Sequence, residues 1–221
     1  MIKAIYFIKR KPGWSLADFR EYWIKNHAPV VLKIPGLVKY VQSHTMDAGY
    51  RNREPIYDGI AELWYESLDD MRRNAGTAIA REGLEDDEKF LDMSKLTFIL
   101  TKERVQKENP VEPGAPKMVA FLKKRPDLTV DAFQAHWNSP HGKLGAAVPG
   151  ARRYVQCHPL ASSYEKGRTP PWDGVAEVWF DSDDAMRSNS STPEFKAVLA
   201  DEPNFLAGAA KFIITTEHII L

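Results

Sequence analysis

Apolar and polar positions follow two rhythms along the chain, and the whole succession occurs twice. Ile2–Lys9 reads as a first strand, apolar but for Lys3 until it meets the basic cluster Lys9-Arg10-Lys11. Leu16, Phe19 and Trp23 then recur at i, i+3 and i+7, which puts them on one face of a helix. Ser15, with Asp18 three residues on, has the form of an N-terminal cap for that helix. Pro29 predicts its end soon after His27, because proline has no amide hydrogen for the helical ladder. Pro35-Gly36 introduces a second strand over Leu37–His44, and a third covers Tyr57–Tyr65. Ser67 predicts the cap of a second helix, and Thr97–Thr101 reads as a fourth strand.

The second pass repeats this order. With an offset of 114, Phe7 meets Phe121, Trp23 meets Trp137, His27 meets His141, and Tyr40-Val41-Gln42 meets Tyr154-Val155-Gln156. His44 meets His158, and after one inserted residue Asp58-Gly59 meets Asp173-Gly174 and Trp64 meets Trp179. About thirty identities in about a hundred aligned pairs far exceed what average residue usage produces. The expected organisation is one repeat over 1–107, a proline-rich linker over 108–116 and a second repeat over 117–221. Each repeat reads β-α-β-β-α-β, the ferredoxin-like unit, in which an antiparallel sheet carries its helices on one face. The other face then needs a cover. The predicted fold class is therefore α+β, with two ferredoxin-like repeats packed sheet to sheet as an intrachain pseudo-dimeric α/β barrel, with a cavity between the sheets.

Composition narrows the function classes. The 221 residues are 43% hydrophobic and 27% charged, and 30 Lys and Arg against 30 Asp and Glu give zero formal charge. Such a balance argues against nucleic-acid or anionic-membrane binding. Cys157 is the single cysteine, so no intrachain disulfide and no thiolate metal cluster can form. The N-terminal apolar stretch is too short for a signal peptide, and no run approaches the roughly 18 apolar residues of a membrane span. A cytoplasmic protein is expected, with a hydrophobic small molecule as partner and a further homodimer left open.

Candidate chemistry lies on the strands. Alternation puts Tyr40, Gln42 and His44 on one face of the second strand, with Tyr154, Gln156 and His158 as counterparts. On the third strand Asp58, Glu62 and Trp64 fall together, with Asp173 and Trp179 in the second repeat. Small Gly59 and Ala61 suit close packing under a helix, which directs Asp58, Glu62 and Trp64 into the inter-sheet space. Four of the six histidines are repeat pairs, and histidine is the natural proton carrier near neutral pH. His136 and His218 read as surface positions, and Cys157 as a buried apolar one. The expected catalytic set is His27, Tyr40, His44 and Asp58. Gln42, Glu62, Trp64, His141, Tyr154, His158, Asp173 and Trp179 are expected to bind substrate. No Gly-x-Gly-x-x-Gly after a strand, phosphate-binding loop or His-Glu-x-x-His is present, so no cofactor and no metal is expected.

Ile2–Pro12, the helix end Tyr22-Trp23 through His27-Ala28-Pro29, Pro35–His44 and Asp58–Trp64 together resemble the EthD-domain family of the dimeric α/β-barrel superfamily. The resemblance extends over nearly the whole chain, once per repeat. It implies a small-molecule site in each ferredoxin-like unit, with His27 as the His-x-Pro histidine and Tyr40 as the strand tyrosine. Related barrels include cyclases, isomerases, dehydratases, decarboxylases and small monooxygenases. The second repeat departs from the pattern, with Lys143 where Pro29 stands and Pro140 where Asn26 stands. The resulting expectation is a cofactor-independent lyase or isomerase acting on a phenolic, polyketide-like or lactone compound. A non-catalytic ligand-binding or stress-related barrel and a haem-binding relative are the alternatives.

Overall fold

The computed structural model describes residues 1–221. The chain divides into two units, Met1–Thr101 with His218–Leu221, and Lys102–Glu217. In the first, β1 (Ile2–Ile8) is followed by α1 (Leu16–Tyr22), a π-helical turn over Trp23–His27, and α2 (Ala28–Val31). Then come β2 (Leu37–Thr45), β3 (Gly59–Tyr65), α3 (Leu68–Arg73), α4 (Ala78–Phe90) and β4 (Thr97–Glu108). The second unit repeats the order as β5 (Lys117–Leu122), α5 (Val130–His136), a π turn over Trp137–His141 and α6 (Gly142–Ala147). It continues with β6 (Ala151–Pro159), β7 (Gly174–Phe180), α7 (Asp183–Ser188), α8 (Pro193–Asp201) and β8 (Lys211–Ile219). The strands pair antiparallel in the order β4-β1-β3-β2 in the first unit and β8-β5-β7-β6 in the second, so the α+β class and the two-repeat plan hold. No helix is long and apolar enough to cross a membrane.

The third strand starts at Gly59 rather than Tyr57, and three further boundaries differ from the sequence reading. Pro29 does not end the first helix. The π turn closes through an Ala28 N–H to Trp23 carbonyl bond, so the chain passes the missing proline donor and resumes as α2. The second helix is split after Arg73, and Thr77 recaps it by accepting from the Ala80 amide. The fourth strand runs on from Thr101 to Glu108, and its continuation belongs to the second unit.

Of the predicted core stripe Phe19 and Trp23 are buried, and Leu16 is half-buried against the same cluster. Phe19 and Trp23 are fully buried beneath Phe90 of α4 and against Ala4, Ala61 and Leu63. Gly59 is there because Trp23 lies flat on it. A Cβ at Gly59 would come within 2.6 Å of the Ser43 carbonyl and 2.7 Å of the Trp23 ring. Ser15 caps α1, accepting from the Asp18 amide at 3.0 Å, and Thr129 caps α5 in the same way.

The register corrects the assignment of strand faces. His44 pairs with Gly59, Gln42 with Ala61 and Tyr40 with Leu63. Directly opposed residues point to the same side of a sheet, so Tyr40, Gln42 and His44 face the helices together with Gly59 and Ala61. Glu62 and Trp64 point the other way. Each unit's cavity accordingly lies between its own sheet and its own helices.

Candidate active site

The first unit encloses a cavity of about 290 Å³ walled by apolar side chains, with His27, Tyr40, Tyr6, Tyr65 and Asp87 supplying its polar groups. His27 closes the π turn, and its buried ring is held between two carboxylates of α4. Its Nδ1 is 2.8 Å from Asp86 Oδ2, and its Nε2 is 3.5 Å from Asp87 Oδ1. Asp86 also accepts from the Tyr22 hydroxyl at 2.8 Å and from Lys89 Nζ at 3.0 Å. Burial works to raise the Asp86 carboxyl, but donation by Lys89, Tyr22 and His27 outweighs it and holds the group below its ordinary value. An ionised carboxylate only accepts, so His27 carries its proton on Nδ1 and presents a bare Nε2. Burial depresses the His27 imidazole against the pull of Asp86, which keeps it neutral at pH 7. Asp87 is pushed up to about 7, first by burial and then by the neighbouring Asp86 charge. A neutral base and a carboxyl that keeps its proton up to about pH 7 therefore stand side by side at the cavity wall.

Tyr40 is oriented from behind. Gln42 Nε2 donates to the Trp23 carbonyl at 2.9 Å and to the Tyr40 hydroxyl oxygen at 2.8 Å. The carbonyl fixes the amide orientation, so Gln42 Oε1 faces His44 and accepts from its Nε2–H at 3.0 Å. Because the Tyr40 oxygen is an acceptor in this chain, its own proton is free for the cavity. Burial raises the Tyr40 phenol far above its ordinary value, so it serves as a donor rather than a phenolate. His44 itself stacks on Trp23 at 4.3 Å, and burial drives its pKa down to about 2. It acts as a neutral link, with Nδ1 buried and unpartnered. His218, expected at the surface, lies 4.5 Å from the His44 ring.

The remaining expected residues lie elsewhere. Asp58 is fully buried at the start of β3, where it accepts from the Arg10 amide at 2.8 Å, the Arg10 guanidinium and the Tyr50 hydroxyl at 2.6 Å. Asp173 repeats this with the Lys124 amide and Tyr164. These aspartates tie loops to strands and do not reach a cavity. Glu62 is ion-paired to Lys3 at 2.8 Å on the opposite sheet face and accepts from Ser43, while Trp64 lies 4.5 Å beneath the Lys3 ammonium. Trp179 lies beneath Lys117 and Arg153. Ligand atoms of Glu103, Cys157 and Glu177 converge within 4.8 Å. The Lys117 ammonium, 3.6 Å from Glu177, already supplies a cation there.

The second unit keeps the Tyr154–Gln156–His158 chain at 2.8 and 3.0 Å and the pair of His141 Nδ1 with Asp201 at 2.9 Å. His136, also expected at the surface, shares Asp201. Asp86 and Asp87 were not among the expected residues. The legible signal was repetition, because Asp86 and Phe90 recur as Asp201 and Phe205 at the same spacing.

The sequence profile of the family described as EthD domain matches residues 11–94 and again residues 125–209. The chain belongs to the EthD-domain family. The two EthD repeats have small relatives, and each aligned segment is repeat-sized. The conidial pigment biosynthesis dehydratase EthD of Metarhizium robertsii is 29% identical over 105 residues, covering 41% of this chain and 74% of that protein. An uncharacterized 11.0 kDa protein of Rhodococcus erythropolis, from the thcB-thcC intergenic region, is 27% identical over 92 residues, covering 41% of this chain and 84% of its own. The crystal structure of an anthrone oxidase-like protein superposes on this EthD chain with a TM-score of 0.68 at 13% identity, covering 99% of this chain and 92% of its own. That likeness is one of fold.

Proposed function

We propose that the first EthD cavity eliminates water from a hydrophobic β-hydroxy ketone of hydroaromatic or polyketide type. The observation that carries this reading is the geometry of one cavity wall, where His27 Nδ1 is held 2.8 Å from Asp86 and its Nε2 lies 3.5 Å from Asp87, a carboxyl that burial pushes up. His27 Nε2 removes the proton α to the carbonyl. The Tyr40 hydroxyl donates to the carbonyl oxygen as negative charge develops there. Asp87 gives its proton to the departing β-hydroxyl, and water leaves. His27 then holds the abstracted proton and Asp87 is ionised. Passing that proton across their 3.5 Å separation restores both groups. Acid and base stand on the same wall, so the elimination is syn.

The dehydratase name of the Metarhizium relative supports this reaction class. The cavity volume suits a small bicyclic compound, standing at the low end of the ~300–1,000 Å³ range of ligand pockets. Incubation with 3-hydroxy-1-tetralone is the test, since loss of water gives an enone that tautomerises to fluorescent 1-naphthol. Release of 1-naphthol that disappears in His27→Ala supports the assignment. Equal release by the wild type and His27→Ala overturns it.

A further inference from the structure

The two repeats have the same backbone plan but different cavities, and the difference is chemical. The second cavity, at about 430 Å³, is roughly half as large again as the first. The equivalence of positions follows from register. Tyr6 pairs with Ala61 and Ala120 with Ala176, so Ala120 occupies the place of Tyr6. Phe180 likewise stands where Tyr65 does, so of the first cavity's three tyrosine hydroxyls only that of Tyr40 has a counterpart, in Tyr154. On α6, Gly145 replaces Val31 and lies so close to Tyr154 that a Cβ would come within 2.6 Å of its ring. Trp137, Phe180, Phe195 and Phe212 supply flat walls, and Tyr154 supplies a hydrogen bond.

The acid–base pair is also altered. His141 keeps its Asp201 partner, but Asp201 is shared with His136 and Asn204. Glu202 stands at the position of Asp87, and its carboxyl receives the Ala210 amide. No ion-pair contact joins it to His141, unlike the 3.5 Å contact of Asp87 with His27. The base lacks an acid beside it.

We infer that the second repeat is a binding site without turnover, for a flat polycyclic aromatic molecule that carries one oxygen acceptor or hydroxyl. Aromatic walls favour offset stacking with such a ligand, and the Tyr154 donor fixes its oxygen. The missing hydroxyls of Tyr6 and Tyr65 leave no polar group unpaired when three or four fused rings enter. The inference rests on the elimination reading only for its contrast between units. Its test measures binding, so each can fail without the other.

The probe is 1-hydroxypyrene, titrated into the intact chain by isothermal calorimetry, which counts equivalents bound at either cavity, while tryptophan fluorescence marks the second, since Trp137 lines it and Trp23 does not line the first. Saturation at one equivalent per chain is expected. Ala120→Tyr should weaken binding at least tenfold and leave 1-naphthol release by the first unit unchanged. The double variant Tyr6→Ala/Tyr65→Phe removes the two hydroxyls that the second cavity lacks and opens the space Tyr6 fills, and should raise the stoichiometry to two. This gain of binding tests the inference even if Ala120→Tyr misfolds. Absence of binding to the wild type, two equivalents in the wild type, or one equivalent in the double variant overturns it.

Discussion

Replacing Asp87 by Asn should stabilise the protein at neutral and mildly alkaline pH while removing its chemistry. The isosteric amide fills the same space but does not titrate. Asp87 is moved from 3.8 to about 7, chiefly by burial and secondly by the Asp86 charge. Between those values the folded chain holds a proton that the unfolded chain has released. The contribution of Asp87 to stability is therefore fully present below about pH 3.8 and is lost as pH rises through about 7. A shift of about three units corresponds to ~4 kcal/mol at ~1.4 kcal/mol per unit. The Asp87 side chain is 20% exposed, so water screens part of this. About 2 kcal/mol is the working figure. In a chain of this size ~1 kcal/mol moves the midpoint by ~2–4 °C. Thermal unfolding of wild type and Asp87→Asn from about pH 4 to 8 should give midpoints that coincide near pH 4 and separate by about 4–8 °C at pH 8, the variant higher. His27, depressed by burial, titrates in both proteins and cancels in the difference. Midpoint curves that stay parallel across the range would show that Asp87 carries no such burden, and the reasoning would fail.

Further outcomes follow from the same geometry. Turnover should decline on the alkaline side near pH 7 as Asp87 ionises and on the acid side below 6.5 as His27 is protonated; a rate–pH profile flat from about 5 to 9 contradicts this. Tyr40→Phe keeps the ring in its place but removes the donor, and should lower kcat by about 10²–10³-fold with little change in KM. Gln42→Glu leaves an acceptor where Tyr40 now receives a donor, so the tyrosine proton turns away from the cavity. Steady-state kinetics should show a loss approaching that of Tyr40→Phe. Gly59→Ala forces a methyl into the Trp23 ring and the Ser43 carbonyl and should cost about 1–3 kcal/mol in urea unfolding.

Local pattern carried much of the fold. Leu16, Phe19 and Trp23 specify the buried stripe of α1 because helical spacing is set within the chain. The His27 and Tyr40 pairs stood out because two copies preserve them. Strand faces were harder. Alternation sorts Tyr40 from Val41 and Asp58 from Gly59, but only the pairing of His44 with Gly59 decides that Tyr40 and Glu62 lie on opposite sides. Asp58, flanked by glycine and repeated as Asp173, looked as catalytic as any carboxylate, yet its fate depended on Arg10 and Tyr50 closing on it. Asp86 and Asp87 lie among many acidic residues on a polar helix, and their importance comes from a histidine 59 positions away in the chain. The continuation of β4 beyond Thr101 was not legible because its partners, such as Arg153, whose Nε donates to Glu108, are distant in sequence. Pro29 misled because a π turn absorbs what an α-helix cannot.

The central claim is that His27 and Asp87 work from one wall. Stereospecifically deuterated 3-hydroxy-1-tetralone, carrying deuterium at C2 either cis or trans to the hydroxyl, tests it most directly. At early times, before the label exchanges, 1-naphthol from the cis-labelled substrate should have lost its deuterium and that from the trans-labelled substrate should retain it. Retention of the cis label, or 1-naphthol formed no faster than with His27→Ala, would contradict the account.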